Sequence, residues 1–131
     1  MPAGEAFTER QADHIRHALA TARAETGLWF SVYIGSIEGD PRGQAQRLHA
    51  ALGDVADHAV LLLVEPEARR VEIVTGAGAS RRVDDRTAAL ASLSMATSFA
   101  GGDLVGGIVN GIGMMAGSAI RPPVLHEYTA E

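Results

Sequence analysis

The run Ala59-Val-Leu-Leu-Leu-Val64 constrains this chain more than any other stretch. Successive side chains of a strand point to opposite faces, so a strand with one wet face alternates, while an unbroken apolar run needs both faces covered. Bounded by Asp57-His58 before it and by Glu65-Pro-Glu-Ala68 after it, the run has strand rather than helix length. It predicts a central strand, and therefore elements packed on each side of a sheet.

The flanking sequence supplies those elements. Residues 7–25 lack Pro and Gly, Thr8 with Gln11 resembles a capping box, and Ile15, Leu19 and Ala22 share a stripe that stops at Gly27, which predicts a first helix. Trp29-Phe-Ser-Val-Tyr-Ile34 is aromatic and β-branched and reads as a strand, its weak alternation predicting burial on both faces. Asp40-Pro41 opens a second helix that closes by Gly53, with Leu48 and Leu52 one turn apart. Val71-Glu-Ile-Val74 fits an antiparallel neighbour of the central strand, and Gly76-Ala-Gly78 ends it. Asp84-Asp85 starts a long helix that breaks at Phe99-Ala-Gly-Gly102, and Asp103 caps a last helix to about Ser118. The tail from Arg121-Pro-Pro123 to Glu131 reads as extended.

A strand, a crossover helix and a second strand are parallel and right-handed in one sheet. The order therefore predicts an α/β fold, a single three-layer α/β/α sandwich with a small mixed sheet, occupying residues 1–131 as one domain. No internal repeat or linker divides the chain.

Composition excludes several kinds of chemistry. There is no cysteine, so disulfides, thiolate metal sites and thiol nucleophiles are absent. All basic residues are arginine, which removes a P-loop lysine and lysine Schiff bases. A net charge of −5 argues against the phosphate grip of a nucleic-acid binder. The N-terminus lacks the basic start and apolar run of a signal peptide, which predicts a cytoplasmic protein. The uncharged stretch Leu104–Ile120 only just reaches the shortest length that spans a bilayer, about 17 residues. Its glycines, with Asn110 and Ser118, read instead as a soluble helix whose small residues face the sheet, with no transmembrane segment.

Few residues form a recognisable site. Gly76-Ala-Gly78 lacks the third glycine of a dinucleotide loop, since Arg81 stands there, and Arg81-Arg82 reads as a solvated pair. His14 and His17 lie three apart without a third zinc ligand, and neither His49 nor His126 has a nucleophile elbow to serve. Asp57 precedes the central strand, while Asp84, Asp85 and Asp103 stand at helix starts. Carboxylates on three loops suit a hard cation such as calcium or magnesium. On spacing alone, the reading of each aspartate as a helix or turn cap is the favoured one.

An ordered set of these pieces resembles the TPM domain family over about residues 28–116. It comprises the strand Leu28–Ile34, the run Ala59–Val64, the turn ending at Arg69, Gly76-Ala-Gly78, Val83 with Asp85, and Phe99-Ala-Gly-Gly-Asp103 followed by Gly107-Ile108. The resemblance implies an α/β/α sandwich and family members that bind calcium or act as acid phosphatases, often tethered to a membrane. Asp85 and Asp103 match the family's acidic positions, and Asp57 joins them as a substituted neighbour. Together they form an expected site for Ca2+ or Mg2+, with His58 and Arg69 as proton or anion contacts. The sequence departs from the family in lacking a tether, in Asp57-His58 where paired asparagines are usual, and in Ala68-Arg69 at the Asp-Arg turn. The resulting expectation is a TPM-like binding or scaffolding domain, cytoplasmic or membrane-peripheral, that meets a protein or envelope-associated partner and uses no organic cofactor. The alternative is a metal-dependent acid phosphatase acting on phosphomonoesters.

Overall fold

The structure is a computed structural model that describes residues 8–120. The expected tail from Arg121, His126 and the first residues of the chain lie outside the described residues.

Helix α1 spans Glu9–Thr26. Thr8 and Gln11 form the reciprocal capping box read from the sequence, and Gly27 closes the helix in the left-handed conformation at φ 75°, which glycine adopts without a Cβ clash. Strand β1, Trp29–Ile34, leads to helix α2, Pro41–Ala50, with Asp40 accepting from the Gly43 amide as its N-cap. The chain then takes a 3-10 stretch over Gly53–His58 that the sequence reading does not anticipate. Strands β2, Ala59–Glu65, and β3, Arg70–Thr75, follow as a hairpin. Helices α3, Asp85–Ala100, and α4, Leu104–Ala119, complete the order, capped by Asp84 and Asp103.

The sheet is mixed, with order β1-β2-β3. β1 pairs in parallel with β2, Val32 opposite Leu62, and β2 pairs antiparallel with β3, Leu62 opposite Ile73. The α/β class, the central place of β2 and both pairing directions agree with the sequence expectation. β2 is buried along Ala59–Val64 because its two rows of side chains enter different cores. Val60, Leu62 and Val64 meet Phe30, Ile73, Met95, Ile108, Ile112 and Met115 in the larger one. Leu61 and Leu63 join Val74 and Ala45 in the smaller one, beside Leu48 and Leu52.

Two expectations are corrected. β1 is not buried on both faces: of its residues only Phe30 is buried, because α2 packs mainly on β2 and β3. The glycines of α4 do not face the sheet either. Their close approach is to α3, where a Cβ on Gly107 would lie 2.7 Å from the Ser98 Cβ and one on Gly111 would lie 2.7 Å from the Met95 Cγ. α4 packs against both α1 and α3, and Asn110 donates across the helix pair to the Ser94 hydroxyl at 3.2 Å. Among the described residues no helix is long and apolar enough to cross a membrane.

Candidate functional site

The structure does not bring Asp57, Asp85 and Asp103 together. Asp85 lies in the first turn of α3 and Asp103 beyond its last turn. The 16 residues of α3 separate them by about 24 Å at 1.5 Å per residue. Asp103 is occupied as the cap of α4, accepting from the Gly106 amide at 3.0 Å. Asp57 sits in the 3-10 stretch just ahead of β2, where its backbone oxygen accepts from the Gly78 amide at 2.9 Å and its carboxylate from the same amide at 3.3 Å. His58 shares that end of β2, whereas Arg69 stands at the other end, in the β2–β3 turn, in a left-handed conformation at φ 51°. No group of three or more His, Cys, Asp or Glu side chains that could hold a metal ion occurs among the described residues. The expected three-carboxylate site is therefore corrected to two caps or turns and one loop latch, because helix length keeps its members apart.

The Gly76-Ala-Gly78 segment is explained by the same latch. A Cβ on Gly76 would lie 1.9 Å from the Ala56 carbonyl oxygen, and one on Gly78 would lie 2.6 Å from Asp57 Oδ2. The glycines admit the neighbouring backbone rather than a phosphate. Arg82 is likewise not a solvated member of a pair: its Nε and Nη2 donate to the Ala119 carbonyl at 3.1 and 2.5 Å, where a cation suits the C-terminal end of α4. His14 and His17 line a shallow groove of 250 Å³ between α1 and α4, with Glu25, Ile112 and Gly113.

The more open surface lies along β1. Gly35 donates to the Val64 carbonyl, which fixes the strand's parity. The backbone of Trp29, Ser31 and Tyr33 turns toward β2, and that of Phe30, Val32 and Ile34 turns toward the free edge. The side chains of Trp29, Ser31 and Tyr33 share the sheet face of Leu61 and Leu63, which α2 covers mainly over β2 and β3. Trp29 stays 37% exposed and Tyr33 40%. Between them, Ser31 Oγ is buried with no hydrogen-bond partner among the described residues.

Past the end of β1 this face opens into a groove of 560 Å³, lined by Tyr33, Ser36, Ile37, Glu38, Gln44 and Leu48 with the adjoining backbone. It lies at the carboxyl ends of the two parallel strands, where open α/β sheets commonly hold ligands. Its wall is tied to the end of β2, because Glu65 accepts from the Ile37 amide at 3.0 Å while facing Arg70 at 3.7 Å. Among the described residues, Glu38 is the only charged side chain in the lining. The sequence reading passes over Ser31, Tyr33, Glu38 and Gln44. The available signal was the pair of aromatics four apart on one row of a strand, ahead of Gly35.

Both edges of the sheet carry an arginine. Arg23 donates from Nε and Nη2 to the Phe30 carbonyl at 3.0 and 2.7 Å, with its guanidinium 3.8 Å from the centre of the Trp29 ring. Arg42 donates to the Ile73 carbonyl at 2.6 Å and faces Glu72 at 3.6 Å. Each occupies an outward carbonyl that another strand could use. Asp84, the N-cap of α3, is held in its ionised form by its neighbours. The Thr87 amide and hydroxyl beside it hold its carboxyl below its ordinary value of 3.8, with Arg86 adding a smaller pull and desolvation opposing.

Residues 2–116 match a family described as Domain of unknown function (DUF5130). The chain belongs to that family. Several solved structures share the fold of this DUF5130 chain. The BA42 protein from the psychrophilic bacterium Bizionia argentinensis is 20% identical with a TM-score of 0.77, covering 86% of this chain and 81% of that one. The N-terminal domain of a protein from P. gingivalis is 19% identical with a TM-score of 0.75, covering 86% and 75%. The N-terminal domain of the cg2496 protein from Corynebacterium glutamicum is 17% identical with a TM-score of 0.72, covering 95% and 84%. At these identities the likeness is one of fold.

Proposed function

We propose that this DUF5130 chain is a TPM-like binding or scaffolding domain, a three-layer α/β/α sandwich with its recognition surface on the margin of the sheet that α2 leaves open. The observation that carries this reading is the pair of exposed aromatics, Trp29 and Tyr33, running into the 560 Å³ groove at the end of β1. Aromatic side chains offer large contact area at small entropic cost and are enriched where partners bind. The two separate cores on the two faces of the sheet support the sandwich. The reading places the domain in the cytoplasm or at a membrane periphery.

Calcium or magnesium enters this reading only as a ligand of single carboxylates, since Asp85 and Asp103 stand at opposite ends of α3. A phosphatase that clamps its metal between these carboxylates does not fit that geometry. The test is a two-dimensional NMR titration of the isotopically labelled chain with short peptides of varied charge and with calcium. Shifts centred on Tyr33, Gly35 and Gln44 support the reading. Peptide-induced shifts centred elsewhere, or a calcium response that joins Asp57, Asp85 and Asp103, overturn it.

A further inference from the structure

The two sheet edges are guarded unequally. On β3 the outward residues are Val71, Ile73 and Thr75, and Arg42 occupies the carbonyl of the middle one. Arg42 thus stands at the middle of the β3 edge, so each pair of adjacent outward residues there includes the one whose carbonyl is taken. On β1 the outward residues are Phe30, Val32 and Ile34, and Arg23 occupies the carbonyl of the first. Val32 and Ile34 stay contiguous, and the Val32 amide and carbonyl and the Ile34 amide take no partner among the described residues. A strand edge of this kind is a template for an added strand.

The same half of β1 adjoins the groove. A strand laid against Val32–Ile34 places alternate side chains beside Ser31 and Tyr33, on the face that continues into Gly35–Glu38. Among the described residues Glu38 is the only charge lining that groove, and the chain carries a net −5. Complementary charge on the incoming segment is therefore positive.

Building on the binding reading above, we propose that the Val32–Ile34 edge of β1 receives an extended segment of a partner protein as a fourth strand, with a lysine or arginine of that segment set against Glu38. Backbone hydrogen bonds supply the attachment, Tyr33 packs against an apolar residue of the segment, and Glu38 selects for the cation. Arg23 ends the docking site by holding the Phe30 carbonyl.

The test uses the full chain and an acetylated, amidated peptide of alternating Thr and Val with one central Lys. Binding is read by amide hydrogen exchange, by NMR shifts and by Trp29 fluorescence. The expected result is slowed exchange at the Val32 and Ile34 amides. Methylating alternate peptide nitrogens removes strand hydrogen bonds and should weaken binding about tenfold or more. Replacing the peptide Lys by Glu should also weaken it, and Glu38→Lys should reverse that preference. If the methylated peptide binds equally well with shifts at Tyr33 and Gln44, strand addition is overturned while the groove reading stands. If charge exchange at Glu38 leaves the preference unaltered, the cationic assignment falls. Shifts confined to other surfaces, or none at millimolar peptide, remove the groove reading and this inference with it.

Discussion

Replacing Gly76 by alanine probes the loop latch that took the place of the expected acidic site. The new methyl would lie 1.9 Å from the Ala56 carbonyl oxygen and 2.3 Å from that of Asp57, where ordinary contact begins at 3.4 Å. Both obstacles are backbone, so no side-chain rotation relieves them. Separation has to move the 3-10 stretch away from the end of β3, which loosens the hydrogen bonds that the Gly76 amide donates to the Ala59 carbonyl and the Gly78 amide to the Asp57 carbonyl, both 2.9 Å. Overpacking costs about 1–3 kcal/mol and each backbone bond about 1 kcal/mol, so the expected loss is about 3–5 kcal/mol. For a domain of this length the melting temperature should fall by about 10–20 °C. Gly113→Ala is the control: its methyl meets nothing within 4 Å. Exchanging glycine for alanine inside a helix should stabilise by up to about 1 kcal/mol. Circular dichroism melts with urea titration followed at Trp29 measure both. A Gly76→Ala protein that melts with the wild type would refute the close approach and reopen the loop as a ligand cradle.

Arg23→Met removes two donors from the Phe30 carbonyl and the stack on Trp29, and should cost about 1–3 kcal/mol. It also lengthens the open β1 edge, so sedimentation should show more concentration-dependent self-association than in the wild type. Gly107→Leu should destabilise by about 1–3 kcal/mol through overpacking against Ser98 and Phe99, read from urea midpoints. Asp84 is held below its ordinary value of 3.8 in the folded state, so its ionised form favours folding above that pH, and the contribution is lost as pH falls through the lowered folded value. Melting curves between pH 2 and 6 should therefore show the gap between wild type and Asp84→Asn closing on the acid side; a constant gap would contradict the Thr87 contacts as its cause.

Much of the fold was legible because it depends on neighbours in sequence. The capping box at Thr8, Pro41 after Asp40, the bounds of β1 and the unbroken apolar run of β2 are local patterns, and each determined its element. The run's length and uniformity also required a central strand, and the crossover through α2 required β1 to be parallel to it. The 3-10 stretch after α2 was not legible, since Gly53–His58 has no local pattern that distinguishes it from a loop.

Which surfaces stay open was decided only by tertiary packing. Trp29 and Tyr33 read as core residues in sequence, yet they stand exposed because α2 is seated mainly over β2 and β3. Gly107 and Gly111 signal close contact in any reading, but only the antiparallel return of α4 beside α3 names Ser98 and Met95 as what they touch. Asp57, Asp85 and Asp103 look alike as acidic residues at element starts. The rigid rise of α3 sets two of them at opposite ends, because an α-helix converts separation along the chain into distance along an axis and cannot fold back to bring its ends together.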